Sequence, residues 1–335
     1  MATGIMSAAF RQAGLPWPSG LLLGIAVAAF AILLAGSCWR AAAFRDGLAA
    51  DLGRPGRDFA SFAFVAACGV LASRLATAGT AGAAGALAGV TVAAWLILTW
   101  LVPVRLARHA GRVAMVEING TWYLWAVATE SLAIVAALPP EGSGLGPRLS
   151  AFAAIGAWAA GLVLYLVTMA LVLARILIAG IGPAGLRAPY WVAMGVPSIS
   201  VFAATRILRV TGAPAVATAR PVITSLAILC WTFATVLIPL LVMLTALTSL
   251  TTVRRLFSGH WPRYRPEAWT VVFPLGMYAM ATLELGTAAE VPLIQGIGAV
   301  AVWPATAAWV LVAITMAASP FRHHQDAPTN NIVLR

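Results

Sequence analysis

Lysine is absent from the 335 residues; all 21 basic side chains are arginine. Charge of either sign is scarce, at 9% of the chain, where a soluble domain carries about a quarter. That scarcity excludes an ordinary soluble globular domain. Cysteine is nearly absent too. Cys38, Cys68 and Cys230 stand far apart in or beside apolar runs, which excludes a disulfide framework and a cysteine metal site and leaves three small packing residues. There is no Walker-type phosphate loop and no soluble domain to use ATP. MATGIMSAAF has no basic residue ahead of its apolar part, so it is not expected to act as a signal peptide.

What is present is apolar. Hydrophobic residues make up 61% of the chain and the mean hydropathy is +0.93. Long uncharged runs recur along the whole length, the pattern of an all-α polytopic membrane protein. Reading runs between breakers predicts ten spans: 1–13 (partial), 19–38, 58–77, 82–103, 120–138, 150–174, 189–210, 221–248, 268–285 and 293–318. They form a single transmembrane domain over 1–320, followed by a polar tail at 321–335.

The formal net charge of +11 does not indicate nucleic acid, because most arginines lie between apolar spans. Segments after even-numbered spans hold 15 of the 21: Arg40, Arg45, Arg54, Arg57, Arg105, Arg108, Arg112, Arg175, Arg187, Arg254, Arg255, Arg263, Arg265, Arg322 and Arg335. Segments after odd-numbered spans hold Arg11, Arg74, Arg148, Arg206, Arg209 and Arg220, and the segment after span nine carries Glu284 and Glu290 instead. By the positive-inside rule, the even-side loops and both termini are cytoplasmic. The lysine-free, Ala/Gly/Arg-rich usage suits a GC-rich bacterial genome, and the expected location is a bacterial inner membrane.

A coarse repeat runs through the spans. Helix-weakening or polar clusters sit near the middle of each odd span: Gly4, Gly69, Thr129-Glu130-Ser131, Gly195 with Pro197, and Pro274 with Gly276, at intervals of about 61 to 79 residues. That interval is one helical hairpin with its loop. Five hairpins in a ring would put one helix of each pair inside, and Gly and Pro at membrane depth favour the odd helices for that place. The even spans are plainer; the fourth carries Gly85-x-x-x-Gly89, a close-packing pattern.

Four stretches carry a family resemblance: MATGIMS at the start, NGTWYLWAVATESLAI at 119–134, PYWVAMGVPSIS at 189–200 and WTVVFPLGMYAMA at 269–281. Together they resemble the tellurite-resistance/C4-dicarboxylate transporter family. Its members include bacterial TehA, plant guard-cell slow anion channels, and yeast malate permeases and sulfite pumps. The resemblance implies ten helices in five hairpins with quasi-fivefold arrangement, odd helices lining a central pore, and assembly as a homotrimer. It also implies that Met1, Thr3 and Gly4 lie inside the first helix. That helix is therefore expected either to start upstream of a misplaced start codon or to be truncated.

The same resemblance makes Phe273, just before Pro274, the residue that closes the pore. An aromatic plug blocks sterically and excludes water, so a rotamer change opens it. Weak, multi-site binding suits conduction. Hydroxyls (Thr3, Ser7, Thr129, Ser131, Ser198, Ser200) and backbone loosened at Gly195, Pro197, Pro274 and Gly276 are the candidates to supply it, with Gly4 and Gly69 on the same path. Each hydroxyl also fits a role as glue between helices. Arg74, Arg206 and Arg209 sit towards outer span ends, where they attract anions or snorkel. Glu130 is the one carboxylate in the middle of a span; it serves either as a proton carrier or as a hydrogen-bond partner between helices.

The expectation is a membrane channel or transporter for small inorganic anions or C4-dicarboxylates, without cofactor or metal. The alternative is a proton-coupled dicarboxylate or sulfite carrier using Glu130. A membrane-embedded enzyme would need clustered His, Asp or Glu at depth. His323-His324 and the tail after them read as solvated.

Overall fold

Proline marks where the outer helices begin. The structure, a computed structural model, describes residues 1–44, 58–108, 118–139, 146–180, 188–248 and 264–323. Within these residues the chain is all helical: α1 (Ala2–Gln12), α2 (Pro16–Ala43), α3 (Phe62–Ala76), α4 (Ala81–Arg108), α5 (Tyr123–Ala136), α6 (Pro147–Ala179), α7 (Val192–Ile207), α8 (Pro214–Thr248), α9 (Trp269–Ala288) and α10 (Pro292–His323). Seven of these, two of them counted with a preceding 3-10 turn, are long and apolar enough to cross a bilayer. The arginines expected at 45, 54, 57, 112, 187, 254, 255, 263 and 335, His324, and the rest of the tail lie outside the described residues.

The even helices are longer than the breaker-based reading predicts. Pro16, Pro147, Pro214 and Pro292 are first residues of helices, where a fixed φ and a missing N–H cost nothing. Pro103 and Pro221 lie within helices rather than ending or starting them. So α8 begins at Pro214 instead of 221, α4 runs to Arg108 instead of 103, and α10 continues to His323, into the expected tail.

The odd helices are short and are entered through single 3-10 turns at Asp58–Ser61, Gly120–Trp122, Ala188–Trp191 and Pro266–Ala268, before α3, α5, α7 and α9 respectively. Asn119 caps the second of these, its side chain accepting from the Thr121 N–H at 2.9 Å. Gly120 lets that turn lie directly on the Pro189–Tyr190 backbone, where a Cβ would overlap it.

The neighbour pattern closes a ring. α1 packs on α3, α3 on α5, α5 on α7, α7 on α9, and α9 back on α1. Each even helix packs on the odd helix before it and touches the one after it, so five hairpins surround one inner ring. α2, α4, α6, α8 and α10 present large apolar side chains outward, among them Leu33, Ile97, Leu166, Val236 and Trp303, as lipid-facing helices do. The inner helices are largely buried.

The two layers are pinned by tryptophan. Trp95 on α4 donates through Nε1 to Thr129 Oγ1 on α5 at 2.9 Å, and Trp158 on α6 donates to the Ser200 carbonyl on α7 at 3.0 Å. Trp231 on α8 reaches Thr282 on α9 at 3.1 Å, and Trp309 on α10 reaches Thr3 on α1 at 3.1 Å. At the remaining seam, Phe30 of α2 stacks on Phe64 of α3. Every outer helix therefore grips the next inner helix through an aromatic side chain around the whole ring.

Candidate functional site

Arg11, Arg74 and Arg206 each stand in the last turn of an inner helix. A cation there meets the negative end of the helix dipole. These ends gather around a cavity of about 170 Å³ lined from α1, α3, α7 and α9. Its floor is Ile5, Val70, Phe202 and Met280; its polar wall is Arg11, Arg74, Arg206, Arg209 and Glu284. The guanidinium of Arg206 lies 4.8 Å over the Phe202 ring, a cation–π contact that holds it against the floor.

Arg74 is only 4% exposed. Its Nε donates to Ser7 Oγ at 2.9 Å, one terminal nitrogen to Ser19 Oγ at 2.8 Å and the other to Thr77 Oγ1 at 3.3 Å. Ser7 and Ser19 also donate to each other's carbonyls, both at 2.7 Å. The clasp joins α1, α2 and α3. Across the cavity, Glu284 is 1% exposed; one oxygen accepts from Arg206 at 3.1 Å and the other pairs with Arg209.

Glu284 corrects the sequence reading, which counted it with the segment after span nine. It lies inside α9 and is buried. The signal was in the register: Phe273, Met277, Met280 and Glu284 fall at i, i+4, i+7 and i+11, one face of a helix. Phe273 is 0% exposed and lies eleven residues before Glu284 on that stripe, about 16 Å deeper. The cavity ends above it, at Met280.

The glycines face neighbouring inner helices. A Cβ at Gly4 would meet Val70, one at Gly69 would lie 2.8 Å from Ser131 Cβ, one at Gly195 would press on Pro274 at 3.1 Å, and one at Gly276 would lie 2.9 Å from the Met6 sulfur. They let the ring close tightly. The expected helix breaks do not occur: α7 and α9 run unbroken through Pro197 and Pro274. The carbonyl that Pro197 leaves without its i+4 partner, on Ala193, accepts from the Tyr165 hydroxyl at 2.9 Å, so it is spent on structure. Ser198 and Ser131 donate to carbonyls of their own helices, at 2.9 Å each, and Thr129 does the same.

Glu130 is fully buried where α5 meets α6 and α7. Its Oε1 accepts from Ser200 Oγ at 2.7 Å, and Oε2 has no hydrogen-bond partner among the described residues. Gly161 of α6 leaves room for it; a Cβ there would lie 2.6 Å from Oε1. Gly89 of the Gly85-x-x-x-Gly89 pattern does not serve close packing within the chain, since a Cβ there would meet nothing within 4 Å. Cys38, Cys68 and Cys230 are free thiols. Among the described residues, no three His, Cys, Asp or Glu side chains gather where they could hold a metal ion.

A ring of short inner helices with a cationic basin at one end has the form of a path for anions. The family profile described as voltage-dependent anion channel matches residues 1–317. The chain belongs to that family. The match agrees with the resemblance carried by the four motifs and makes the protein a membrane anion channel or transporter. Over 153 residues it is 36% identical to an uncharacterized membrane protein found in Mycobacterium tuberculosis strains CDC 1551 and H37Rv, a stretch that covers 46% of this chain and 75% of the relative.

Proposed function

We propose that the protein passes small inorganic anions or C4-dicarboxylates through the interior of the odd-helix ring, with Phe273 as the gate. The observation that carries this reading is the stripe on α9, where buried Phe273 lies beneath the arginine-lined cavity on the face that bears Met280 and Glu284. The path runs past Thr3, Gly4, Ser7 and Gly69 on one side and Gly195, Pro197, Ser198, Pro274 and Gly276 on the other, with Thr129 and Glu130 on α5. The protein sits in a bacterial inner membrane with both termini cytoplasmic, which places the arginine cavity at the extracytoplasmic face, and it works as a homotrimer with one path per subunit.

The test is anion current in planar bilayers, wild type against Phe273→Ala, with chloride, nitrate, sulfite and malate. Passive current that appears, or rises by about tenfold or more, in the variant is the expected result, because removing an aromatic block lets water and ions fill a dewetted constriction. Equal, negligible current in both proteins overturns the gate.

A second reading rests on Glu130, a fully buried carboxyl with one oxygen unpaired. Buried carboxyls at membrane depth are proton-relay candidates. A proton-coupled dicarboxylate or sulfite carrier would need a pH gradient for uptake, and Glu130→Gln would abolish that dependence.

A further inference from the structure

The proposed function uses the arginine cavity only as an entrance. Its bonding goes further. A guanidinium has five N–H donors. Arg74 spends three, all on neutral hydroxyls, and none of the ion pairs among the described residues includes it. It is nonetheless almost wholly buried. A buried cation without a counter-charge is costly, and proteins balance it with a partner or a bound ion. Arg206, lining the same cavity, has a buried Nε with no hydrogen-bond partner. Arg74 and Arg206 thus line one cavity, Arg74 with two of its five donors unspent, and Arg11 and Arg209 add to the field. Among the described residues lining that space, Glu284 is the one carboxylate, and it is already shared between Arg206 and Arg209.

We propose that this cavity is a binding site for a small oxyanion, anchored by Arg74 with the Arg206 side chain beside it, and that Glu284 is a tethered carboxylate that keeps the site weak. An oxyanion matches the planar donor fork of arginine better than a halide does. Four guanidinium groups without an opposing carboxylate would trap an anion, whereas conduction needs it to leave. Glu284 supplies the opposition: it neutralises part of the field and repels a second anion at close range. The inference rests on the anion-transport reading, but the site binds whether or not the gate opens.

The experiment is thermal unfolding of the full chain in lipid nanodiscs, titrated with sodium nitrate, sodium chloride or sodium gluconate at constant ionic strength. Wild type is expected to show a saturable rise in Tm with nitrate, a weaker one with chloride and none with gluconate. Arg74→Gln should remove the saturable component. Arg74 also clasps three helices, so Arg74→Lys and Glu284→Gln guard against a variant that fails to fold. The lysine should narrow the preference for nitrate over chloride, and Glu284→Gln should lower the half-saturating nitrate concentration by about tenfold. Identical, non-saturating rises in wild type and Glu284→Gln overturn the proposal, as does a chloride response equal to that of nitrate. If Phe273→Ala carries no current while these nitrate shifts appear, the conduction reading fails and the site stands. If current flows while nitrate shifts nothing, the site fails and conduction stands.

Discussion

Gly69 on α3 and Gly89 on α4 belong to the two helices of one hairpin, yet they live under opposite constraints. Gly69 is pressed on Ser131 of the next inner helix, so any Cβ must displace something; Gly89 has nothing within 4 Å. The contrast holds for the two layers at large. Inner helices are short, begin through 3-10 turns in α3, α5, α7 and α9, and meet their neighbours through glycine, proline and hydroxyls. Outer helices are long, mostly begin at proline, turn large apolar side chains outward and each grip the next inner helix through an aromatic side chain. Lipid sets the composition of the outer layer but hardly its sequence. Contact between backbones sets the inner layer residue by residue.

If that division is right, glycine-to-alanine changes should separate the layers. The largest loss is expected at Gly120, packed on the Pro189–Tyr190 backbone, and at Gly286, packed on the Gln295 backbone. Backbone cannot swing aside as a side chain can, so each alanine should cost about 3 kcal/mol or prevent folding. A thermal-unfolding midpoint unchanged from wild type for either variant would break the comparison at its strongest point.

Proline inside the ring gives the next effect. Tyr165 of α6 donates to the Ala193 carbonyl opposite Pro197. Tyr165→Phe keeps the ring and strands the carbonyl in a buried setting, for a loss of about 2 kcal/mol. The double change Tyr165→Phe with Pro197→Ala restores an N–H four residues on from Ala193, so it should recover most of that loss. Calorimetry on the single and double variants checks the sign of the coupling.

Smaller still are the tryptophan pins. Trp95→Phe and Trp309→Phe keep the ring and lose one hydrogen bond, to Thr129 and Thr3 respectively. Polar contacts between membrane helices average about 0.6 kcal/mol, so each variant should fall by about that much, and the two should add because their seams are well separated.

Much of this architecture was legible in the sequence, and the illegible parts share a cause. Apolar runs between breakers gave ten helices, and the spacing of Gly4, Gly69, Thr129-Glu130-Ser131, Gly195 and Pro274 pointed to the odd helices as the inner set, because close approach leaves its mark on residue size. Helix starts were misplaced where Pro16, Pro147 and Pro214 were read as breakers, although proline at a first turn favours a helix. The expected breaks at Pro197 and Pro274 failed for a related reason: in a packed bundle, neighbours such as Tyr165 satisfy the carbonyl that proline leaves unpaired. Glu284 was passed over because charge near a span end reads as interfacial, whereas its burial depends on Arg206 and Arg209 arriving from another helix. The tryptophans at 95, 158, 231 and 309 stand among thirteen in the chain, and only their hydrogen bonds to the next inner helix set them apart. Which hydroxyls face a path and which bond their own helix is a matter of rotamer and neighbour, and spacing alone does not encode it.

The smallest expected effect cuts most finely between the layers. Gly89→Ala adds a methyl to an outward-facing position on α4 where it meets no atom of its own chain. Glycine in a helix interior is less favourable than alanine by about 0.8–1.0 kcal/mol, so the variant should be as stable as wild type or slightly more so. The measurement is the unfolding midpoint in nanodiscs beside the oligomer mass in mild detergent. A stable variant of unchanged mass places Gly89 against lipid. A loss of stability together with a lighter particle would mean that the outer layer is itself an inner layer here, with Gly85-x-x-x-Gly89 held for close approach by a second copy, and the boundary between the two kinds of helix would have to be redrawn through α4.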